Sequence, residues 1–303
     1  MIEEDIIKEN DSLKKNIGKK KQQILAFATM KGGTGKTTVC YNVACMLAEK
    51  YKVLCIDLDS QCNLSTDFGC DMYDETLPTI ADIFERPKTD PNSLIIYSPN
   101  KNLPNLDLIP SSIYLFGTEQ QLWSRTSRET MLKMNFEIYE AVYEYYDYII
   151  FDTGPNFQVC TQNCLVLADH VILVVDSDVN ASKGAKLFMH YWEEARGYMH
   201  IKDNIDGLIM NNVERTKMSN LATEYVDSQP EMAKIKFKAK IPHTTRFKEC
   251  GLQNQPIFLL KMENKTDEKS RKRAEKAMRN LIKEMEERTN TGFSFASCFR
   301  KNT

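Results

Sequence analysis

The run KGGTGKTT at residues 31–38 combines glycines, lysines and threonines in a pattern suited to holding phosphate. Glycines permit a tight or left-handed backbone, which lets amide N–H groups approach an anion closely. A helix that starts directly after the run adds unpaired donors and the positive end of its dipole. Lys36 would place a charge on the β- and γ-phosphates, and Thr37 a hydroxyl on Mg²⁺. The run therefore predicts a phosphate loop, although Met30 stands where the general pattern has glycine and Lys31 is an additional cation.

Three aspartates at the ends of two predicted strands could manage the metal ion and the water of such a site. Asp57 and Asp59 lie in IDLDSQ, where strand alternation puts both on the same side, and Asp152 lies in FDTGP. Ligands of open α/β sheets bind outside the carboxyl ends of the strands, so these side chains should converge on the phosphate loop. A single aspartate at a strand end is usually a turn former or a helix N-cap. Both segments together, beside the glycine run, favour a nucleotide site.

The elements that must position these residues follow from the apolar pattern of the chain. Short β-branched runs alternate with helical patterns, as in βαβ units around a parallel sheet. The predicted strands span residues 24–29, 53–58, 106–110, 148–152, 171–176, 207–211 and 235–241. The predicted helices span residues 37–50, 129–145, 182–198 and 267–288. The pattern predicts an α/β three-layer sandwich with a mostly parallel central sheet.

One domain is expected at residues 23–288, with a charged N-terminal arm at 1–22 and a C-terminal tail at 289–303, because no linker-like stretch divides the centre. The hydrophobic fraction of 42% and the charged fraction of 27% are ordinary for a globular protein. A net charge of −2 means that polyanion binding would need a local patch. The nine cysteines lack metal-type spacing, which favours reduced thiols in the cytosol. Neither a membrane span nor a signal peptide is expected.

Three motifs in this order resemble those of the ParA/Soj/MinD group of deviant-Walker P-loop ATPases. KGGTGKTT matches the family loop KGGxGKTT, VLCIDLDSQCNLS resembles VLLxDxDPQxN, and FDTGP resembles the DxxP Walker B segment. The resemblance covers about residues 24–285. Ser60 and Cys62 replace the family's proline and glycine after the DxD pair, and Asp176-Ser177-Asp178 lacks the proline that is usual in that loop. These departures bear on the stiffness of the switch loops and on the rate of hydrolysis, while the phosphate-binding residues are complete.

The resemblance implies a Mg²⁺-dependent ATP hydrolase with a defined set of site residues. Its catalytic residues would be Lys31, which in the family crosses a dimer interface to the partner's phosphates, together with Lys36 and with Asp59, which would orient the attacking water. Thr37, Asp57 and Asp152 would hold Mg²⁺. The implied nucleotide-binding residues are Lys31, Gly32, Gly33, Thr34, Gly35, Lys36, Thr37, Thr38, Asn211, Pro242 and His243, the last three by the base.

The last predicted helix adds a basic face to its apolar stripe. A solvated helix face is the ordinary explanation for such charges, and contact with a phosphate backbone is the functional one. The candidate DNA-binding residues are Lys269, Arg271, Lys272, Arg273, Lys276 and Arg279. ParA-type members act in plasmid or chromosome segregation. An ATP-bound homodimer holds non-specific double-stranded DNA, and a centromere-binding, ParB-like partner stimulates hydrolysis and release. The expected location is therefore the cytoplasm, on the nucleoid.

A MinD-like switch, recruited by ATP to a membrane or another surface without DNA, is the alternative function. The tail carries Phe293, Phe295 and Phe299, which offer less apolar area than a stable membrane anchor needs. A cluster role like that of the nitrogenase iron proteins would need two suitably placed cysteines, and Cys160 has no evident second match. The charged arm before the first strand could contact a partner protein, as in some relatives.

Overall fold

Apolar runs of the sequence form a single eight-stranded sheet in the computed structural model, which describes residues 22–290. The strands are β1 (Gln23–Ala28), β2 (Val53–Leu58), β3 (Ile96–Tyr97), β4 (Leu106–Ile109), β5 (Tyr148–Thr153), β6 (His170–Asp176), β7 (Ile205–Val213) and β8 (Lys236–Pro242). Their order is β3-β4-β2-β5-β1-β6-β7-β8. Every neighbouring pair is parallel except β3 with β4.

Helices connect these strands and cover both faces of the sheet. They are α1 (Lys36–Leu47), α2 (Asn63–Asp67), α3 (Ile80–Glu85), α4 (Leu115–Leu122), α5 (Met131–Ile138), α6 (Glu140–Tyr143), α7 (Val159–Leu167), α8 (Val179–Met199), α9 (Lys217–Ser228), α10 (Pro230–Ile235), α11 (Arg246–Gln253) and α12 (Lys265–Asn290). Short 3-10 turns occur at Pro91–Ser93 and Arg128–Thr130. No helix among residues 22–290 is long and apolar enough to cross a membrane.

Two hydrophobic cores lie on opposite faces of the sheet. Successive residues of β2 alternate between them, so that Leu54 and Ile56 join one core while Val53 and Cys55 join the other. All six residues of β2 and of β5 are buried. A strand covered on both faces needs a continuous apolar run, which is the pattern that the sequence shows. The predicted three-layer α/β fold with a mostly parallel sheet is confirmed.

The sheet order brings the two aspartate segments beside the glycine run. Parallel strands end at the same edge, and β5 lies between β2 and β1. In the strand register Asp57 is opposite Asp152, and Asp152 is opposite Phe27, one residue before β1 ends. The chain then turns through residues 29–35 into α1. The loop and all three aspartates therefore share one edge of the sheet.

The helix predicted at residues 129–145 is wrong as a single element. It is divided into a 3-10 turn, α5 and α6, with a break at Tyr139, whose φ of −113° and ψ of 34° are not helical. Tertiary contacts explain the break. Asn135 donates from Nδ2 to the carbonyls of Pro87 and Thr89, and the Tyr139 hydroxyl donates to the carbonyl of Lys88 at 2.6 Å. These bonds outweigh the propensity for one long helix.

The domain boundaries at residues 23 and 288 stay predictions. The last helix was predicted to end at residue 288 and continues to 290, which moves the start of the proposed tail by two residues. The arm at residues 1–21 and the tail from residue 291 lie outside the described residues. The three tail phenylalanines are therefore not placed.

Candidate nucleotide-binding site

The glycine run forms a tight loop between β1 and α1. Gly33 and Gly35 have φ values of 79° and 77°, in the left-handed region that favours glycine. A Cβ on Gly35 would lie 2.3 Å from Nδ2 of Asn211, so no other residue fits there without displacing that side chain. Gly32 and Gly33 are exposed, whereas Thr34 is buried. The loop thus presents open backbone at the start of a twelve-residue helix, as an anion site requires.

Lys36, Thr37 and Asp152 form the centre of the site. The Lys36 ammonium lies 2.5 Å from Oδ1 of Asp152, and the Thr37 hydroxyl donates to Oδ2 at 2.7 Å. Burial alone would lower the pKa of Lys36, but the ion pair with Asp152 raises it above its ordinary value. Lys36 therefore stays cationic in a buried position. A buried ammonium beside a hydroxyl and a carboxylate is a donor set that fits phosphate and Mg²⁺.

Asp57 faces the protein interior more than the loop. It is fully buried, and its two oxygens accept hydrogen bonds from the Ser65 hydroxyl at 2.7 Å, the Ser65 amide at 2.9 Å and the Asp59 amide at 3.0 Å. Burial, and then the nearby charge of Asp152, raise the pKa of Asp57. These hydrogen bonds of Asp57 fix the segment that carries Asp59. A role as a Mg²⁺ ligand through water stays a prediction.

Asp59 lies at the wall of a cavity that is lined by the segments after β2 and β5. Its Oδ1 accepts the amide of Gln61 at 3.0 Å, and burial raises the pKa of its carboxyl against the opposing charge of Lys36. The cavity has a volume of about 290 Å³ and is also lined by Glu119 and Gly154. A carboxylate at this place can accept a hydrogen bond from water that approaches the loop. Water orientation by Asp59 remains a prediction.

Lys31 extends from the loop to the surface, where it meets Asp178. Its ammonium lies 2.5 Å from Oδ2 of Asp178, and the lysine side chain is 46% exposed. Asp178 also caps α8, because its Oδ1 accepts the amide of Asn180 at 3.1 Å. The hydrogen bond from Lys31 lowers the pKa of Asp178. Sequence reasoning missed this partner, although an aspartate directly before a helical pattern is a recognisable N-cap.

Two buried polar atoms beside the loop have no hydrogen-bond partner among residues 22–290. Asn211 donates from Nδ2 to the carbonyl of Thr34 at 2.7 Å, while its Oδ1 and the Thr34 hydroxyl make no hydrogen bond within residues 22–290. Buried polar atoms are rarely left unpaired, which fits a ligand with its own donors and acceptors. Pro242 is buried at the end of β8, and His243 is exposed with Nδ1 2.7 Å from Oε1 of Glu214. Base contacts by these residues remain predictions.

The basic face of α12 divides into paired and unpaired cations. Arg271 is buried and contacts Glu268 at 2.9 Å and Glu275 at 3.0 Å. Arg279 pairs with Glu49 and Glu275, and Lys272 pairs with Glu268. In the part of the chain that is described, three exposed residues of the predicted set have no ion pair. They are Lys269, Arg273 and Lys276.

Comparison with known proteins identifies a family and named relatives of this chain. A family profile described as an AAA domain matches residues 22–206. The sporulation initiation inhibitor protein Soj of Bacillus subtilis is 29% identical over 239 residues, which are 78% of this chain and 90% of Soj. The chromosome partitioning protein ParA of Caulobacter vibrioides is 30% identical over 242 residues, which are 78% of this chain and 86% of that protein.

A solved structure extends the likeness to the fold. The ATP complex of a McdA variant from Cyanothece superposes with a TM-score of 0.73, over 87% of this chain and 95% of the McdA chain. Its identity is 22%, so it supports the fold alone. The relatives therefore support the family, and the solved structure supports the α/β fold.

Proposed function

This chain belongs to the ParA/MinD superfamily of P-loop ATPases, and from that membership we propose that it is the ATPase of a DNA partition system, acting in plasmid or chromosome segregation. The observation that carries the proposal is the buried contact of Lys36 and Thr37 with Asp152 at the start of α1. Relatives named for chromosome partitioning support the cellular role. The proposed cofactors are ATP and Mg²⁺, and the proposed location is the cytoplasm, on the nucleoid.

The hydrolytic step divides among four side chains. The loop amides and Lys36 hold the β- and γ-phosphates, and the hydroxyl of Thr37 and the carboxylate of Asp152 hold the metal ion. Mg²⁺ supplies charge neutralisation on the phosphate oxygens when it is bound. Asp59 orients the attacking water by accepting its hydrogen bond. Because the polar groups of the site are already fixed and buried, they need little reorganisation as charge develops on the phosphate oxygens in the transition state.

Replacement of Asp59 tests this division of roles. Asp59→Ala should still bind ATP, since Lys36 and the loop are intact, while turnover falls roughly 100-fold because the water loses its acceptor. The ATP-bound dimer should then persist on size-exclusion chromatography. Calorimetry measures the binding, and phosphate release measures the turnover. Turnover at the wild-type rate would remove Asp59 from the mechanism.

Dimerisation on ATP is the second part of the proposal. Lys31 lies at the surface, and its pair with Asp178 is largely exposed. Exposed ion pairs contribute at most about 1 kcal/mol to stability. Lys31 can therefore leave Asp178 and contact the phosphates of the nucleotide bound to a second copy of the chain at little cost in free energy. A dimer also brings two copies of the α12 cations to one assembly. We propose that Lys269, Arg273 and Lys276 contact the phosphate backbone of double-stranded DNA, whereas Arg271 serves the packing of α12.

Co-sedimentation with non-specific DNA tests the switch. We expect retention with ATP, loss of retention with ADP, and a steep decline as salt rises, because the contacts are to phosphates. Lys36→Ala, which should not bind ATP, is the matched control and should not be retained under any condition. A ParB-like partner should accelerate hydrolysis and release. Absence of retention at low salt, with ATP-dependent dimerisation intact, would reject DNA binding and favour the MinD-like surface switch.

A further inference from the structure

Glu119 of α4 reaches across the cavity to the first turn of α7. Its Oε1 accepts the backbone amide of Cys160 at 2.8 Å. The first amides of a helix have no partner within the helix, and Gln158 at the N-cap of α7 provides no side-chain acceptor. Glu119 therefore supplies from another helix the cap that α7 lacks. Its side chain and Asp59 line the same cavity of about 290 Å³.

The segment that this hydrogen bond holds is the connection from the active site to α7. Residues 154–158 join the strand end with Asp152 to α7, and four of these five residues line the same cavity as Asp59. Phe157 provides a second attachment, because its ring packs against Phe188 at 5.3 Å and against Tyr191 at 5.9 Å, both from α8. The connection is thus held in its middle by Phe157 and at its end by Glu119.

We propose that Glu119 is a positioning residue for ATP hydrolysis, which sets residues 154–158 opposite Asp59 by capping α7. The inference rests on the proposed ATPase function, and it deepens that function by assigning a residue that the sequence motifs do not contain. Glu119 acts through the backbone that it orders and does not touch the nucleotide. Residues 154–158, held in a fixed position, would then confine the water that Asp59 orients.

The chemistry of the cap supports a role beyond stability. Serine, threonine, aspartate or asparagine at the N-cap would satisfy the amides of α7 locally. Compared with such a local cap, the ionised carboxylate of Glu119 is less favourable, because burial, and to a smaller extent the charge of Asp59, raise its pKa. The cap instead links α4 to α7 at the wall of the cavity that Asp59 also lines.

Alanine and glutamine substitutions separate positioning from folding. Glu119→Ala should lower kcat about tenfold, the equivalent of one lost hydrogen bond to a charged group, with the KM for ATP changed less than about twofold. Glu119→Gln keeps an acceptor oxygen and should recover most of kcat. Glu85→Ala is the matched control, since Glu85 of α3 accepts from the Thr118 hydroxyl of α4 at 3.3 Å and, among the described residues, makes no hydrogen bond to α7. It should behave as wild type.

A double variant tests whether Glu119 acts through Asp59. If Glu119 only positions the water that Asp59 orients, Asp59→Ala with Glu119→Ala should be no slower than Asp59→Ala alone. Wild-type kcat in Glu119→Ala, a loss confined to KM, equal loss in Glu119→Gln, or full additivity would each overturn the positioning role. If the wild-type protein itself neither binds nor hydrolyses ATP, the ATPase proposal fails first. If it does both, only the role of Glu119 is at issue.

Discussion

At the scale of single residues, the ion pair of Lys36 and Asp152 joins two residues of the proposed site, and its loss would lower the stability of the protein. Their side chains are 5% and 0% exposed. The attraction between the two charges offsets their loss of hydration, but removal of one partner leaves the other buried without compensation. We therefore expect the same lysine to contribute to stability and to phosphate binding.

Lys36→Ala should abolish ATP binding measured by calorimetry, because the charge that meets the phosphates is lost. It should also lower the free energy of unfolding by roughly 3 kcal/mol at neutral pH in urea denaturation, since Asp152 remains buried and unpaired. Lys31→Ala is the matched control. Its pair is largely exposed, so stability should change by less than about 1 kcal/mol. Wild-type ATP affinity in Lys36→Ala would contradict the assignment of the loop.

The sequence predicts the central contacts of the site and misses those made between distant segments. Asp152 could be anticipated beside Lys36 because strand ends of a parallel sheet meet at one edge. Asp178 lies 147 residues from Lys31, and Glu119 lies 41 residues from Cys160. Neither pair belongs to a short motif, and each depends on how two segments distant in sequence are placed in space. Such partners need the tertiary structure.

At the scale of elements, strands were easier to predict than helices. A buried parallel strand must be continuously apolar, which the sequence displays directly. The two-residue β3 is too short to leave such a signal. The interrupted helix at residues 129–145 depends on hydrogen bonds to the segment around residue 88, which no local pattern reveals.

The contact of α2 with α11 gives a pH-dependent prediction. Gly251 of α11 lies so close to Asp67 of α2 that a Cβ there would be 2.4 Å from the carboxylate. Burial, and then the charge of Asp152, raise the pKa of Asp67 to about 7. A raised carboxyl pKa gives stability that is present at low pH and is lost as pH rises through the folded-state value.

Asp67→Asn should accordingly stabilise the protein above pH 7 and have little effect near pH 4. At pH 8 the gain in the free energy of unfolding should be on the order of 1–3 kcal/mol, since the asparagine carries no charge. Urea denaturation at several pH values measures it. Asp71→Asn, an exposed carboxylate in the next loop, should show no such trend. A gain that does not vary with pH would reject the explanation.

The helix α12 allows packing and surface charge to be tested separately. Arg271 contacts two glutamates and also donates to the carbonyl of Ile257 at 3.2 Å. Arg271→Glu should lower the free energy of unfolding by roughly 3 kcal/mol, because it removes the contacts of a buried guanidinium and places a third carboxylate beside Glu268 and Glu275. Arg273→Glu, two residues along on the exposed face, should change it by less than about 0.5 kcal/mol. Equal effects in thermal denaturation would contradict this division of the helix.

At the scale of the whole molecule, the net charge of −2 leaves DNA binding to a local surface. Lys269, Arg273 and Lys276 recur at spacings of four and three residues, which puts them on one face of α12. One copy offers three such cations and a dimer offers six. Each phosphate neutralised contributes about −0.9 to the slope of log K against log salt, so the ATP-bound dimer should show a slope of about −5.

Arg273→Ala combined with Lys276→Ala leaves one of the three cations per chain, and the slope should therefore fall to about −2. ATP-dependent dimerisation should be unchanged, because neither residue lies at the nucleotide site. Lys133→Ala is the matched control and should keep the full slope, because Lys133 is exposed on α5, which packs on the face of the sheet opposite to α12. Fluorescence anisotropy with a labelled DNA duplex across a salt series measures the slope for the wild type, the double variant and the control. An unchanged slope in the double variant would place the DNA surface elsewhere, whereas a joint loss of dimerisation would indicate misfolding.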